Sequence, residues 1–208
     1  MSESGEYVPD LVQINSDGST VVGEDPPKVP YADQVAIIKN ALDKGGWTVV
    51  KYEEDAAHRR HIIEIEKSGE KISAILYVFS PFNYSAPRKD GSEKRVQLGT
   101  PTGSDKAQRD HDFGLPANGN PKCALLGIYR RNDLILFGAW VARNYVGHGT
   151  NPNVWMKGKL LAAAARTGFA RELNASGDLL CAFTPDMLPA YLRDMALIHG
   201  HTTGSDAE

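Results

Sequence analysis

Apolar and polar positions alternate with two different periods along the chain, and the switches between them mark its elements. In YADQVAIIKNALDKGG, Val35, Ile38 and Leu42 recur at helical spacing, and Gly45 and Gly46 supply a stop, which predicts a first helix. WTVVKY, RHIIEIEK and KISAILYVF then change to a period of two, with SGE as a tight connection between the last pair. Three strands in a meander are expected. Within RHIIEIEK, His61, Ile63 and Ile65 share one face while Ile62, Glu64 and Glu66 share the other, the pattern of a sheet wet on one side. KISAILYVF is apolar on both faces, which places it centrally.

Beyond residue 80 the pattern is interrupted. SPFNYSAPRKDGS reads as a loop before a short strand, EKRVQLG, in which Arg95 and Gln97 face away from Val96 and Leu98. Residues 99–121 are polar and broken by Gly and Pro, so they read as a long loop, either functional or without fixed structure. KCALLGIYRRNDLILFGAW gives two apolar runs around RRND, a hairpin whose Phe137 and Trp140 belong to the core. A short extended piece, an alanine-rich helix stopped near Gly168, the buried strand DLLCAFT and a final helix begun at Pro185 complete the order. Strands dominate the middle and do not alternate with helices. The class is therefore α+β: a six- to seven-stranded, mostly antiparallel sheet or open barrel with about three flanking helices.

This pattern predicts one globular domain over residues 31–198, preceded by an acidic flexible arm (1–30) and followed by a flexible tail (199–208). Within the arm a short strand at LVQI is an option. A 208-residue chain with 41% hydrophobic and 24% charged residues is of a size to form one domain with a proper core. No run approaches the roughly 20 apolar residues of a membrane span, and the amino terminus has no secretion signal, so a cytoplasmic protein is expected. Cys123 and Cys181 lie in apolar runs and read as buried reduced thiols. No cofactor motif is present: the chain lacks a nucleophile elbow, a phosphate loop and a dinucleotide fingerprint.

The net charge of -3 conceals a strong asymmetry. Residues 1–27 carry six acids and no Lys or Arg, leaving the remainder at +3. Within 120–171, Lys122, Arg130, Arg131, Arg143, Lys157, Lys159, Arg166 and Arg171 stand against Asp133 alone. A basic region in an acidic protein is compatible with a polyanion as partner, and the acidic arm would then act as a cover over it.

Three groups of residues could carry chemistry. Glu64, Glu66 and Lys67 partly imitate the carboxylates and lysine of a metal-dependent nuclease, but Lys67 faces the other way, and a solvated strand face is the competing reading. Asp110, His111 and Asp112 could ligate a metal, although consecutive residues seldom converge on one ion and a solvated loop explains them as well. The third group favours recognition. Arg88, Lys94, Arg95, Arg143, Lys157 and Lys159 can neutralise phosphates, while Gln97, Tyr145, His148 and Asn153 are types that read or stack on bases. Each is also an ordinary surface residue taken singly.

The order EKRVQLG, LLGIYRRNDLILFGAW, NPNVWMKGKLLAAAARTGFA and DLLCAFTPDMLPAYL resembles an accessory domain of restriction-modification and phage-defence proteins, over roughly residues 47–193. That resemblance implies contact with DNA alongside a nuclease or methyltransferase, with Arg95 and Gln97 matching an Arg-x-Gln strand. No such catalytic domain is attached here, so a separate partner protein is expected. A DNA-interacting, non-catalytic module is the leading reading. A small nuclease using Glu64 and Glu66, or a protein-binding subunit without nucleic-acid contact, are the alternatives.

Overall fold

The computed structural model describes residues 12–24, 27–81, 92–99, 103–148, 153–175 and 177–199. Its centre is a seven-stranded sheet. Strands β3 (Thr48–Asp55), β4 (Arg60–Lys67) and β5 (Glu70–Phe79) form the expected antiparallel meander, with Ser68 and Gly69 both at positive φ in the two-residue turn between β4 and β5. Strands β7 (Lys122–Arg131) and β8 (Leu134–Trp140) form the hairpin, and β8 continues antiparallel into β11 (Leu179–Phe183) and β10 (Phe169–Leu173). The two halves join where β5 runs parallel to β7, from Ala74 opposite Lys122 to Phe79 opposite Gly127. Both β3 and β10 remain edges, so the sheet does not close into a barrel.

Each face of the sheet buries its own core. On one, α1 (Tyr31–Lys44) and α4 (Leu188–His199) cover Ile63, Ile65, Leu76, Leu126, Phe137 and Phe183. The buried stripe of α1 is Gln34, Ile37, Ile38, Ala41 and Leu42, with Val35 at its margin. Gln34 is tolerated inside because its amide donates to the Val29 carbonyl at 2.9 Å. On the opposite face, α2 (Gly103–Phe113) and α3 (Gly158–Thr167) pack with two small sheets over Tyr77, Leu125, Tyr129, Leu136 and Trp140. Cys123 and Cys181 are free and buried, as expected, and burial pushes the Cys181 thiol up to about 12.

Among the described residues there are four α-helices where about three were expected. The additional one is α2, which occupies residues read from the sequence as loop. Part of the acidic arm is also ordered: β1 (Val12–Ile14) pairs with β2 (Thr20–Val22), and Ile14 is fully buried. This small hairpin docks by polar contacts with the far half of the chain. The Tyr129 hydroxyl accepts from the Ile14 amide, Arg131 donates to Asn15, and Arg166 donates to the Gly18 carbonyl at 2.7 Å. Gly18 has φ +75, and a Cβ there would lie 2.5 Å from the Ala162 carbonyl oxygen. Gly18→Ala is therefore expected to cost about 1–3 kcal/mol. Urea denaturation measures it, and an unchanged midpoint would show that the hairpin does not bear on α3.

Candidate functional site

A second two-stranded ribbon, β6 (Lys94–Gln97) antiparallel to β9 (Asn153–Met156), lies on the α2 and α3 side. Its pairings set Arg95 opposite Trp155 and Gln97 opposite Asn153, while Val96, Val154 and Met156 are buried. Strand alternation thus gathers Arg95, Gln97, Asn153 and Trp155 on the outward face. The Arg95 guanidinium lies 5.8 Å from the Trp155 ring centroid, and Gln97 and Asn153 are exposed. The ribbon is tied to the main sheet where the Trp140 indole donates to the Trp155 carbonyl at 3.1 Å.

The same alternation turns Lys94 inward. It is 1% exposed, and its Nζ donates to the Val12 carbonyl at 2.6 Å, so it is a structural cation that presents no charge to solvent. Lys157 is exposed directly after the ribbon, whereas the exposed Lys159 pairs with Glu172 at 3.0 Å. Arg143, Tyr145 and His148 sit in and after a 3-10 turn (Ala142–Tyr145) beside α2. Burial pushes the Tyr145 hydroxyl up to about 12, and its ring lies 5.9 Å from that of His148. Arg88 lies outside the described residues.

The remaining cations of residues 120–171 do not form one basic surface. Arg130 pairs with Asp33 at 2.6 Å, Arg131 and Arg166 hold the amino-terminal hairpin, and Lys122 is buried against α4. Among the described residues the hairpin hydrogen-bonds Lys94, Arg131 and Arg166 through carbonyls and an amide, while Asp17 accepts from Ser19 and interacts only electrostatically with Arg166. Glu64 stands opposite Ser73 and Glu66 pairs with Lys71 at 3.4 Å. Lys67 donates to the Gly45 carbonyl. No three His, Cys, Asp or Glu side chains among the described residues are grouped to hold a metal ion.

Beside the Gln97 end of the ribbon lies a cavity of about 1120 Å³. It is bounded by residues 28–31, the β3–β4 turn, the carboxyl end of β5, residues 97–99 and α2. Behind its wall Asp112 is completely buried. One of its oxygens accepts from Arg60 at 2.7 Å and from the Tyr77 hydroxyl at 3.0 Å, and the other accepts from Gln108 at 2.8 Å. Asp112 lies in a segment that reads as a solvated loop, and its spacing from Arg109 and Phe113 is the helical signal the sequence offers. Above it His58 bridges two carboxylates, Asp55 at 2.7 Å and Asp105 at 3.2 Å, and these hydrogen bonds raise its pKa. Arg109 is 4% exposed and donates to the carbonyls of Gly99 and His148, which fastens α2 to the ribbon end and to the segment after the 3-10 turn.

The fold and site together define an α+β domain with an amide-and-guanidinium ribbon at the lip of a polar cavity. The chain belongs to the Methylase-associated X1 family (MTaX1), whose model matches residues 72–192. That span runs from β5 to α4 and includes the ribbon and α2. Membership links the protein to methylase-associated restriction-modification systems. No curated protein and no solved structure matches the chain significantly. No helix among the described residues is long and apolar enough to cross a membrane.

Proposed function

We propose that the protein is an accessory module of a methylase-associated restriction-modification system that contacts DNA through the outward face of the β6–β9 ribbon. The observation carrying this reading is the pairing of Gln97 with Asn153 and of Arg95 with Trp155 on one solvent-facing surface. Antiparallel ribbons of this width fit the major groove, and Gln and Asn can pair bidentately with adenine there. Arg95, Lys157 and Arg143 would neutralise phosphates, and Trp155 or Tyr145 would supply a stacking face. His148 and Asn153 extend the polar surface at the same end. In this reading the module performs no chemistry, and the methyltransferase or nuclease is a separate protein.

Fluorescence anisotropy with duplex DNA across a salt series tests the proposal. Three phosphate contacts give a log-log slope near ~-3, and Arg95→Ala should reduce its magnitude by about 1. Gln97→Ala should relax sequence preference while leaving the slope in place. A slope near zero for the unaltered protein would sink the proposal and favour a partner that is a protein alone.

A further inference from the structure

The charges around the cavity do not balance locally. Its wall carries the carboxylates Asp55 and Asp105, but both are engaged by the single ring of His58. Asp112, behind the wall, is engaged by Arg60. Among the described residues two guanidiniums facing the cavity therefore have no carboxylate in salt-bridge contact, Arg59 and Arg109. Arg109 is buried, donates to two backbone carbonyls with its guanidinium 5.7 Å from the Phe113 ring, and leaves its Nε without a hydrogen-bond partner. A buried guanidinium with an unsatisfied donor is costly unless something else completes its shell. Arg59 is held at φ 55, in the left-handed region unusual for a residue with a side chain, and its guanidinium sits 5.8 Å from the Phe79 ring.

We propose that this cavity binds a nucleotide, with Arg59 and Arg109 taking the phosphate and the Gln97 and Gln108 amides at the edges of the base. A lone phosphate would leave most of about 1120 Å³ unfilled, whereas a nucleotide brings both an anion and a flat apolar ring. Guanidinium forks match phosphate oxygens, and a side-chain amide meets both donors and acceptors on a base edge. The nucleotide can come from solution or from a DNA strand that presents an unstacked base. The strand source rests on the DNA-binding reading above; the free source does not.

Calorimetric titration of the full-length protein with deoxyadenosine monophosphate and with deoxyadenosine tests the phosphate contact directly. The monophosphate is expected to bind at least tenfold more tightly than the nucleoside, and Arg59→Ala to remove most of that difference. Arg59→Lys should retain part of it, and Arg95→Ala, on the outward ribbon face, should leave it unchanged. A single-stranded oligonucleotide and a duplex containing one unpaired adenine, each competing against the monophosphate, identify the source. Competition tenfold stronger than that of a fully paired duplex marks a strand, and equal or no competition marks a free nucleotide. Duplex binding and its salt slope unaltered in Arg95→Ala, with monophosphate binding intact, would overturn the ribbon alone. No heat with either the monophosphate or the oligonucleotide, or affinity indifferent to Arg59→Ala, overturns the pocket.

Discussion

Asp112→Ala is expected to lower the unfolding free energy by about 3–5 kcal/mol, the largest single-residue loss at the site. The carboxylate is fully buried and is shared by Arg60, Tyr77 and Gln108. Removing it leaves a mostly buried guanidinium without its counter-charge and a buried phenol without its acceptor, and each of those groups then carries its desolvation cost uncompensated. Burial raises the Tyr77 pKa, and the Asp112 charge raises it further, so the phenol stays neutral and donates. The double substitution Arg60→Met with Asp112→Leu should recover a large part of the loss, because the apolar pair leaves no orphan. Chemical denaturation of the three variants measures both effects. A loss below about 1 kcal/mol for Asp112→Ala would mean that water replaces the carboxylate freely and that α2 is not fastened through it.

Acidification should destabilise the fold before most carboxylates titrate. His61 is enclosed by Tyr31, stacked at 5.1 Å, and by Tyr52, whose hydroxyl lies 3.1 Å from Nδ1. His199 lies against Tyr191, with its Nε2 3.0 Å from the hydroxyl. Burial lowers both rings to about 4. An unfolded histidine titrates near ~6.5, so between that value and about 4 the unfolded chain binds more protons than the folded one. Stability from these residues is complete above ~6.5 and is lost as pH falls toward 4, by about 3 kcal/mol for each ring. His58 has the opposite sign, since its raised pKa strengthens its bridge on protonation, but it is exposed and its share is small. Denaturation midpoints at pH 7, 5.5 and 4 should fall in that order. His61→Gln should flatten the fall between 7 and 5.5, and a profile already flat there in the unaltered protein would show that both rings reach solvent.

The central sheet was legible because its strands state their burial in apolar residues. RHIIEIEK alternates and KISAILYVF does not, and they become a strand with one half-covered face and a strand buried on both. Helix α2 was hidden for the converse reason. Its buried stripe is Arg109, Asp112 and Phe113, which has helical spacing but is written mostly in charged residues made acceptable inside by Arg60, Tyr77 and two carbonyls. No hydropathy pattern reports a stripe whose burial depends on partners dozens of residues away. The ribbon was half legible: alternation gave Arg95 and Gln97 a common face, but their pairing with Trp155 and Asn153 is non-local. Alternation also contradicts solvent contact by Lys94, since neighbouring strand residues cannot both face outward. The basic region misled because a sum over sequence ignores pairing, and Asp33, Asn15 and Glu172 divide its members among different neighbours.

The seam between β5 and β7 divides the protein into two parts that could each begin to form from nearby residues. On one side three strands are linked by short turns, and on the other a hairpin is closed at residues 132–133. Parallel pairing at the seam must await closure of the segment from 80 to 121, whose entropy is lost before any seam hydrogen bond forms. That segment supplies β6 and α2, so the ribbon edge and the cavity wall are completed by the same slow event that unites the sheet. Until the halves meet, neither presents a finished site, and the temporary edges of β5 and β7 are surfaces on which chains can associate wrongly.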